Sequence, residues 1–141
     1  MASHNMLTVA NEIRTILEDH QEDLGIKNVY FGDTPLQPDF PSVAIQTLRL
    51  TRDVHGTHKF TIAMEYELVL TVFKMGDPSG REESIHELIE SITNLFDADR
   101  TLGGNVIFAM ISAVDMVDVA LGSMLIRGAT MTIQTLSEEI F

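Results

Sequence analysis

A chain of 141 residues, 45% hydrophobic and 21% charged, can build one packed domain and does not have the composition of a disordered segment. The absence of cysteine excludes a disulfide scaffold, a thiolate zinc site and a cysteine nucleophile. The formal charge is −12, from 21 acidic and 9 basic residues. The basic residues Arg14, Lys27, Arg49, Arg52, Lys59, Lys74, Arg81, Arg100 and Arg127 are scattered, so no cationic stripe exists for sequence-specific binding of DNA or RNA.

No apolar run approaches the roughly 18 residues of a membrane span, and the start lacks the basic and apolar regions of a signal peptide. The chain therefore reads as one soluble domain over residues 1–141. Met1 to Asn5 stays open between native sequence and an expression remnant preceding Met6.

Thr8 to Asp23 reads as a first helix. Val9, Ile13, Ile16, Leu17 and Leu24 form one stripe, opposite Glu12, Glu18, Asp19 and Glu22. Thr8 is the expected N-cap, and Gly25 the expected left-handed stop. A short strand is expected over Lys27 to Phe31, then an extended segment punctuated by Pro35, Pro38 and Pro41. Ser42 to Arg52 and His58 to Lys74 read as a hairpin turning through Asp53-Val54-His55-Gly56. Its second strand alternates Phe60, Ile62, Met64, Tyr66, Leu68, Leu70 and Val72 with a mixed face carrying Glu65 and Glu67. That strand is long enough to overhang a core.

After the turn Gly76 to Gly80, Arg81 to Asp97 reads as a second helix, with Ile85, Leu88, Ile89, Ile92, Leu95 and Phe96 on one stripe. Asp97 to Gly104 connects it to a second hairpin, Asn105 to Val117 and Leu121 to Leu136. The class expected is α+β: a mostly antiparallel sheet with both helices on one face. In Asn105 to Val117, simple alternation puts Val106, Phe108, Met110, Val114 and Met116 on one face. Ile107, Ala109, Ile111, Ala113 and Val117 fall on the other. Two helices cover one sheet face, so an apolar second face implies a neighbouring subunit.

Constellations with chemistry are weak. His86-Glu87-Leu88-Ile89-Glu90 ends in Glu where a zincin needs a second His. Glu83 and His86 form one E-x-x-H, whereas a di-iron site needs two on facing helices. Asp53, His55 and His58 share a turn, a poor preorganised metal site. Ser79, Ser84, Ser91, Ser112 and Ser123 lack an elbow-like setting, and the glycines at 76, 80, 103 and 104 lack phosphate-loop spacing. Met64, Met110, Met116, Met124 and Met131 fall in strands and read as core filler. No catalytic residue, cofactor or metal is expected.

The order of elements resembles the tail terminator (tail-completion) proteins of long-tailed bacteriophages, of the lambda and HK97 kind. The residues carrying the resemblance begin with the amphipathic first helix. They continue through Tyr30-Phe31-Gly32-Asp33-Thr34-Pro35 and Phe40-Pro41-Ser42-Val43, the long first hairpin, the Arg81 to Asp97 helix and its exit Asp99-Arg100-Thr101-Leu102-Gly103-Gly104-Asn105-Val106.

The resemblance covers nearly the whole chain, in size and order without a diagnostic motif. It implies a structural virion protein, assembled in the host cytoplasm into a homo-hexameric ring. That ring caps the tail tube and meets the head-tail connector or stopper protein, while DNA passes its channel without specific binding. An acidic protein suits such a channel, because fixed cations would retard a polyanion. Strand pattern suggests Arg49, Arg52, Glu65 and Glu67 as subunit-interface residues. Asp33, Thr34, Pro35, Asp53, Val54, His55 and Gly56 are the suggested docking loops. Another head-tail joining or tube protein, and a small α+β enzyme or ligand-binding domain, remain as alternatives.

Overall fold

The computed structural model describes residues 6–32, 39–72, 78–121 and 124–140. Helix α1 (Met6–Asp19) runs into a short α2 (Gln21–Leu24) and is followed by β1 (Asn28–Phe31). Next come β2 (Ser42–His55), β3 (Lys59–Val72), α3 (Pro78–Ala98), β4 (Phe108–Leu121) and β5 (Met124–Ile140). The five strands form one sheet in the order β1-β2-β3-β5-β4. β1 is parallel to β2, in register Asn28 with Ser42, and every other pairing is antiparallel. The class is α+β, as the alternation and helical stripes require.

Both long helices lie on the same face. Val9, Ile13 and Leu17 of α1 and Ile85, Ile92 and Phe96 of α3 are buried in one cluster with Val43, Ile45, Tyr66, Leu68, Met131 and Ile133 of the strands. In β3 the inward set Ile62, Met64, Tyr66, Leu68 and Leu70 is buried throughout, so a period of two fixes which face meets the helices. Each such side chain contributes about 1.5–3 kcal/mol on burial. Gly25 closes α2 at φ 71°, its N–H directed to the carbonyls of Gln21 and Glu22.

The structure departs from sequence expectation at several places. First, α1 is already helical at Met6, which puts Thr8 inside the helix and not at its cap. Second, β4 begins at Phe108, three residues later than the apolar run suggests. The chain is spent in a self-bonded loop: Leu102, Gly103 and Gly104 take φ of 49°, 70° and 89°. The Asp99 carboxylate there accepts the Gly103 N–H at 3.0 Å, and the Thr101 hydroxyl accepts the Gly104 N–H at 3.2 Å. Leu102 and Val106 are buried from this loop and anchor it. Third, the register of β4 on β5 shifts between Ile111 and Ala113.

That bulge corrects the face assignment, because one extra residue moves every later side chain to the other side. Phe108 and Met110 share the open face with Ala113 and Val117, whereas Val114 and Met116 join Ala109 and Ile111 on the helix side. Pro78 opens α3 three residues before the expected Arg81, a position where the missing proline N–H costs no helical bond.

Candidate assembly surface

The face away from the helices is built from the outward residues of β2, β3, β5 and β4. β3 contributes Ala63, Glu65, Glu67 and Val69; β5 contributes Thr130, Thr132, Gln134 and Leu136. It is therefore mixed and polar over most of its area, and the larger exposed apolar side chains gather at one corner. There Phe108, Met110, Leu136 and Ala63 border a cavity of about 300 Å³, whose rim carries Glu65 and Gln134. The Gln134 amide donates to Glu65 Oε1 at 3.1 Å and fixes that rim. Arg100 lies 5.5 Å from the Phe108 ring centroid and covers part of the corner.

β4 ends the sheet among the described residues, so no described strand pairs with its outer side, where the Ala109 N–H is taken up by the Arg100 carbonyl at 2.6 Å. Phe108, Val114 and Met116, on its two faces, are each about two-fifths exposed. A long apolar edge is a template for pairing with another chain, which proteins ordinarily guard against with charge, proline or a bulge. Here the guards are the bulge at Ser112 and the carboxylates of Asp115 and Asp118. Asp118 is also engaged within the chain, accepting from Arg127 Nη1 at 3.1 Å.

The other uncovered region is the outer half of β2. From Thr47 onward every residue of β2 is exposed, while the inner half of the same strand is buried at Ser42, Val43, Ala44 and Ile45. The overhang expected of β3 is not present: β5 runs beside it from Lys59, opposite Ile140, to Val72, and Ile62 and Met64 are buried, so only β2 is left uncovered at this end. Leu48, Leu50 and Val54 are the large apolar side chains exposed along β2.

The residues suggested as an interface separate. Arg49 stands directly opposite Glu65, and Gln46 opposite Glu67, so Arg49, Glu65 and Glu67 share the open face. Arg52 does not join them: it pairs with Ile62 on the helix side and stacks over the Phe60 ring at 4.3 Å. An odd separation along a strand puts two side chains on opposite faces. Of the docking loops, Asp53, Val54 and His55 are exposed but belong to β2, paired with Thr61, Phe60 and Lys59, so the turn expected over Asp53 to Gly56 begins only at Gly56, at φ 77°. Asp33, Thr34 and Pro35 lie outside the described residues, as do Ser123, Gly76 and Asp77. The β4 edge was missed as an edge, because strand order is not written in a single strand's pattern.

Among the described residues no group of three or more His, Asp or Glu is placed to hold a metal ion. His86 Nε2 lies 3.0 Å from Glu82 Oε1 on the exposed face of α3. Glu82 is held below the usual carboxylate range chiefly by its hydrogen bond from Arg127 and then by that from His86. This network ties α3 to the far end of the β4–β5 hairpin. Met64 and Met131 are core filler, but Met116 is exposed on the edge strand. No helix among the described residues is long and apolar enough to cross a membrane.

Neither a comparison with protein-family models nor one with curated proteins finds a match for this chain. The structure defines an α+β domain with one sheet face roofed by helices, the other open except around Ser42, Ala44 and Thr71, and a β4 edge that no strand among the described residues pairs.

Proposed function

We propose that this chain is a structural virion protein, a tail terminator that self-associates into a closed ring. The ring, of about six copies, caps a bacteriophage tail tube and offers a surface to the head connector, and DNA passes its channel without specific binding. The protein is not an enzyme in this reading. The observation that carries it is the outer edge of the 14-residue β4, which no strand among the described residues pairs and which exposes apolar side chains on both faces. The resemblance in element order to tail terminator proteins supplies the particular assembly. The net charge of −12 suits a wall past which DNA slides.

Electron microscopy and sedimentation of the purified chain, with and without tail tubes, test the proposal. Single rings that bind tube ends are the expected result. Long self-stacked cylinders would point to a tube protein, and a monomer at every concentration overturns the ring.

A further inference from the structure

The charge of this chain is unevenly distributed along its length. Residues 47–60, the exposed half of β2 and the turn that follows it, hold Arg49, Arg52 and Lys59 against the single carboxylate of Asp53. In sequence that is an excess of two positive charges (three minus one) on a molecule of net charge −12, which the fold offsets by bringing Glu138 and Glu139 of β5 into register with Thr61 and Phe60. Lys59 is neutralised within the chain by Glu138, at 2.7 Å. Arg49 and Arg52 make no ion pair among the described residues. Leu50 and Val54 lie on the same side of the strand as Arg52, and Val54 is 64% exposed. An exposed arm that combines apolar and cationic side chains calls for a partner with an apolar floor and acidic walls.

Such a place exists at the opposite end of the sheet. Pro41 immediately precedes β2, and beside it a groove of about 300 Å³ runs between the α2–β1 turn and α3. Leu24, Pro41 and Leu88 contribute apolar surface, and Asp23 and Glu87 supply carboxylates. The exposed side of α3 continues the acidic wall with Glu83 and Glu90.

We propose that the hairpin arm of one copy seats in the acidic groove of a second copy. Val54 packs on the apolar floor, and Arg52 meets the carboxylates of Asp23 and Glu87. The arm and the groove sit at opposite ends of β2, so they cannot meet within one chain. Repetition of such a head-to-tail contact closes into a ring when the rotation between copies permits. This contact rests on the ring-forming reading above and gives it a specific joint.

Charge exchange tests it. R52E reverses the contact charge of the arm, D23K/E87K reverses the groove, and each variant alone then sets like charge against like. Sedimentation velocity should show each requiring roughly tenfold more protein to assemble than the parent chain. Mixed in equal amounts they restore two complementary pairings, reversed arm in reversed groove and native arm in native groove, so assembly should return toward the parental concentration. V54D, at an exposed position that the fold does not use, should weaken assembly without altering the groove.

Variants that assemble like the parent, or a mixture no better than its components, overturn this contact and leave the ring standing. A parent chain that stays monomeric in low salt overturns both.

Discussion

The phenolic hydroxyl of Tyr66, at the centre of β3, donates to the backbone carbonyl of Met6 at the start of α1, at 2.8 Å. The two residues are 60 positions apart, and the bond fastens the first helix to the middle strand of the sheet. Tyr66 is otherwise surrounded by core side chains, and its burial pushes its ionisation well above that of an ordinary tyrosine.

Tyr66→Phe removes one bond and little volume, so it should cost about 1 kcal/mol of stability. Hydrogen exchange at the first turn of α1 should quicken in the same variant. The pH dependence follows from the raised ionisation. Below about pH 10 both folded and unfolded states keep the proton, and the stability is fully present. Above it the unfolded state ionises first, so stability falls as pH rises. Denaturation of the parent between pH 8 and 11 should show that loss, and Y66F should lack its share of it.

Arg127 joins three elements, with Nε 2.9 Å from Glu82 of α3 and Nη1 3.1 Å from Asp118 of β4. Because Glu82 sits below its ordinary value, the stability it contributes is present above the unfolded carboxylate value near about pH 4 and is lost as pH falls through the folded one. Glu82→Gln should therefore lower Tm modestly at pH 7 and little once the carboxylate of the parent is protonated. Thermal melts of both chains from pH 7 to pH 3 should converge. The groups are solvent-exposed, so added salt should shrink the difference as well.

Met116→Lys puts a charge on the apolar β4 edge without disturbing the buried cluster. The monomer should keep its Tm within a few degrees, since an exposed substitution away from caps and cores changes stability by about 0.5 kcal/mol or less. Assembly should fail or need far higher concentration, because an edge lysine opposes strand pairing. Rings of parental size and concentration dependence would exclude β4 from the subunit contact.

Glu65 and Glu67 share the open face with Arg49, and Glu65 is held by Gln134. Cross-strand charge pairs contribute only about 0.2–1 kcal/mol each, so E65K should weaken a ring slightly. E65K/E67K reverses two charges on one face and should weaken it more, with the effect reduced at high salt. Unchanged ring size and salt tolerance in the double variant would remove this face from the interface.

How much of this was legible in the sequence differs by element. The inward face of β3 and the stripes of α1 and α3 followed from periods of 2 and 3.6, because burial along one element repeats with that element's own geometry. The α+β class followed from the same patterns, and Gly25 and Gly56 marked their turns because left-handed φ suits glycine.

The candidate surface was legible only in part. The length of the first hairpin was visible, but not that β5 would flank β3 throughout, nor that Arg52 would face away from Arg49, Glu65 and Glu67. The bulge at Ser112 also reversed the faces of Val114 and Met116. Parity along a strand holds only until the register shifts, and a shift is set by the neighbouring strand, not by the shifting residues.

Alone, the sequence determined which side chains turn inward, since hydrophobic spacing is a local property of each segment. Only the tertiary structure decided that β4 forms an edge, that the open face is mostly polar, and that Tyr66 reaches Met6. Each of these depends on which distant segments become neighbours, and that choice is made by packing the whole chain at once.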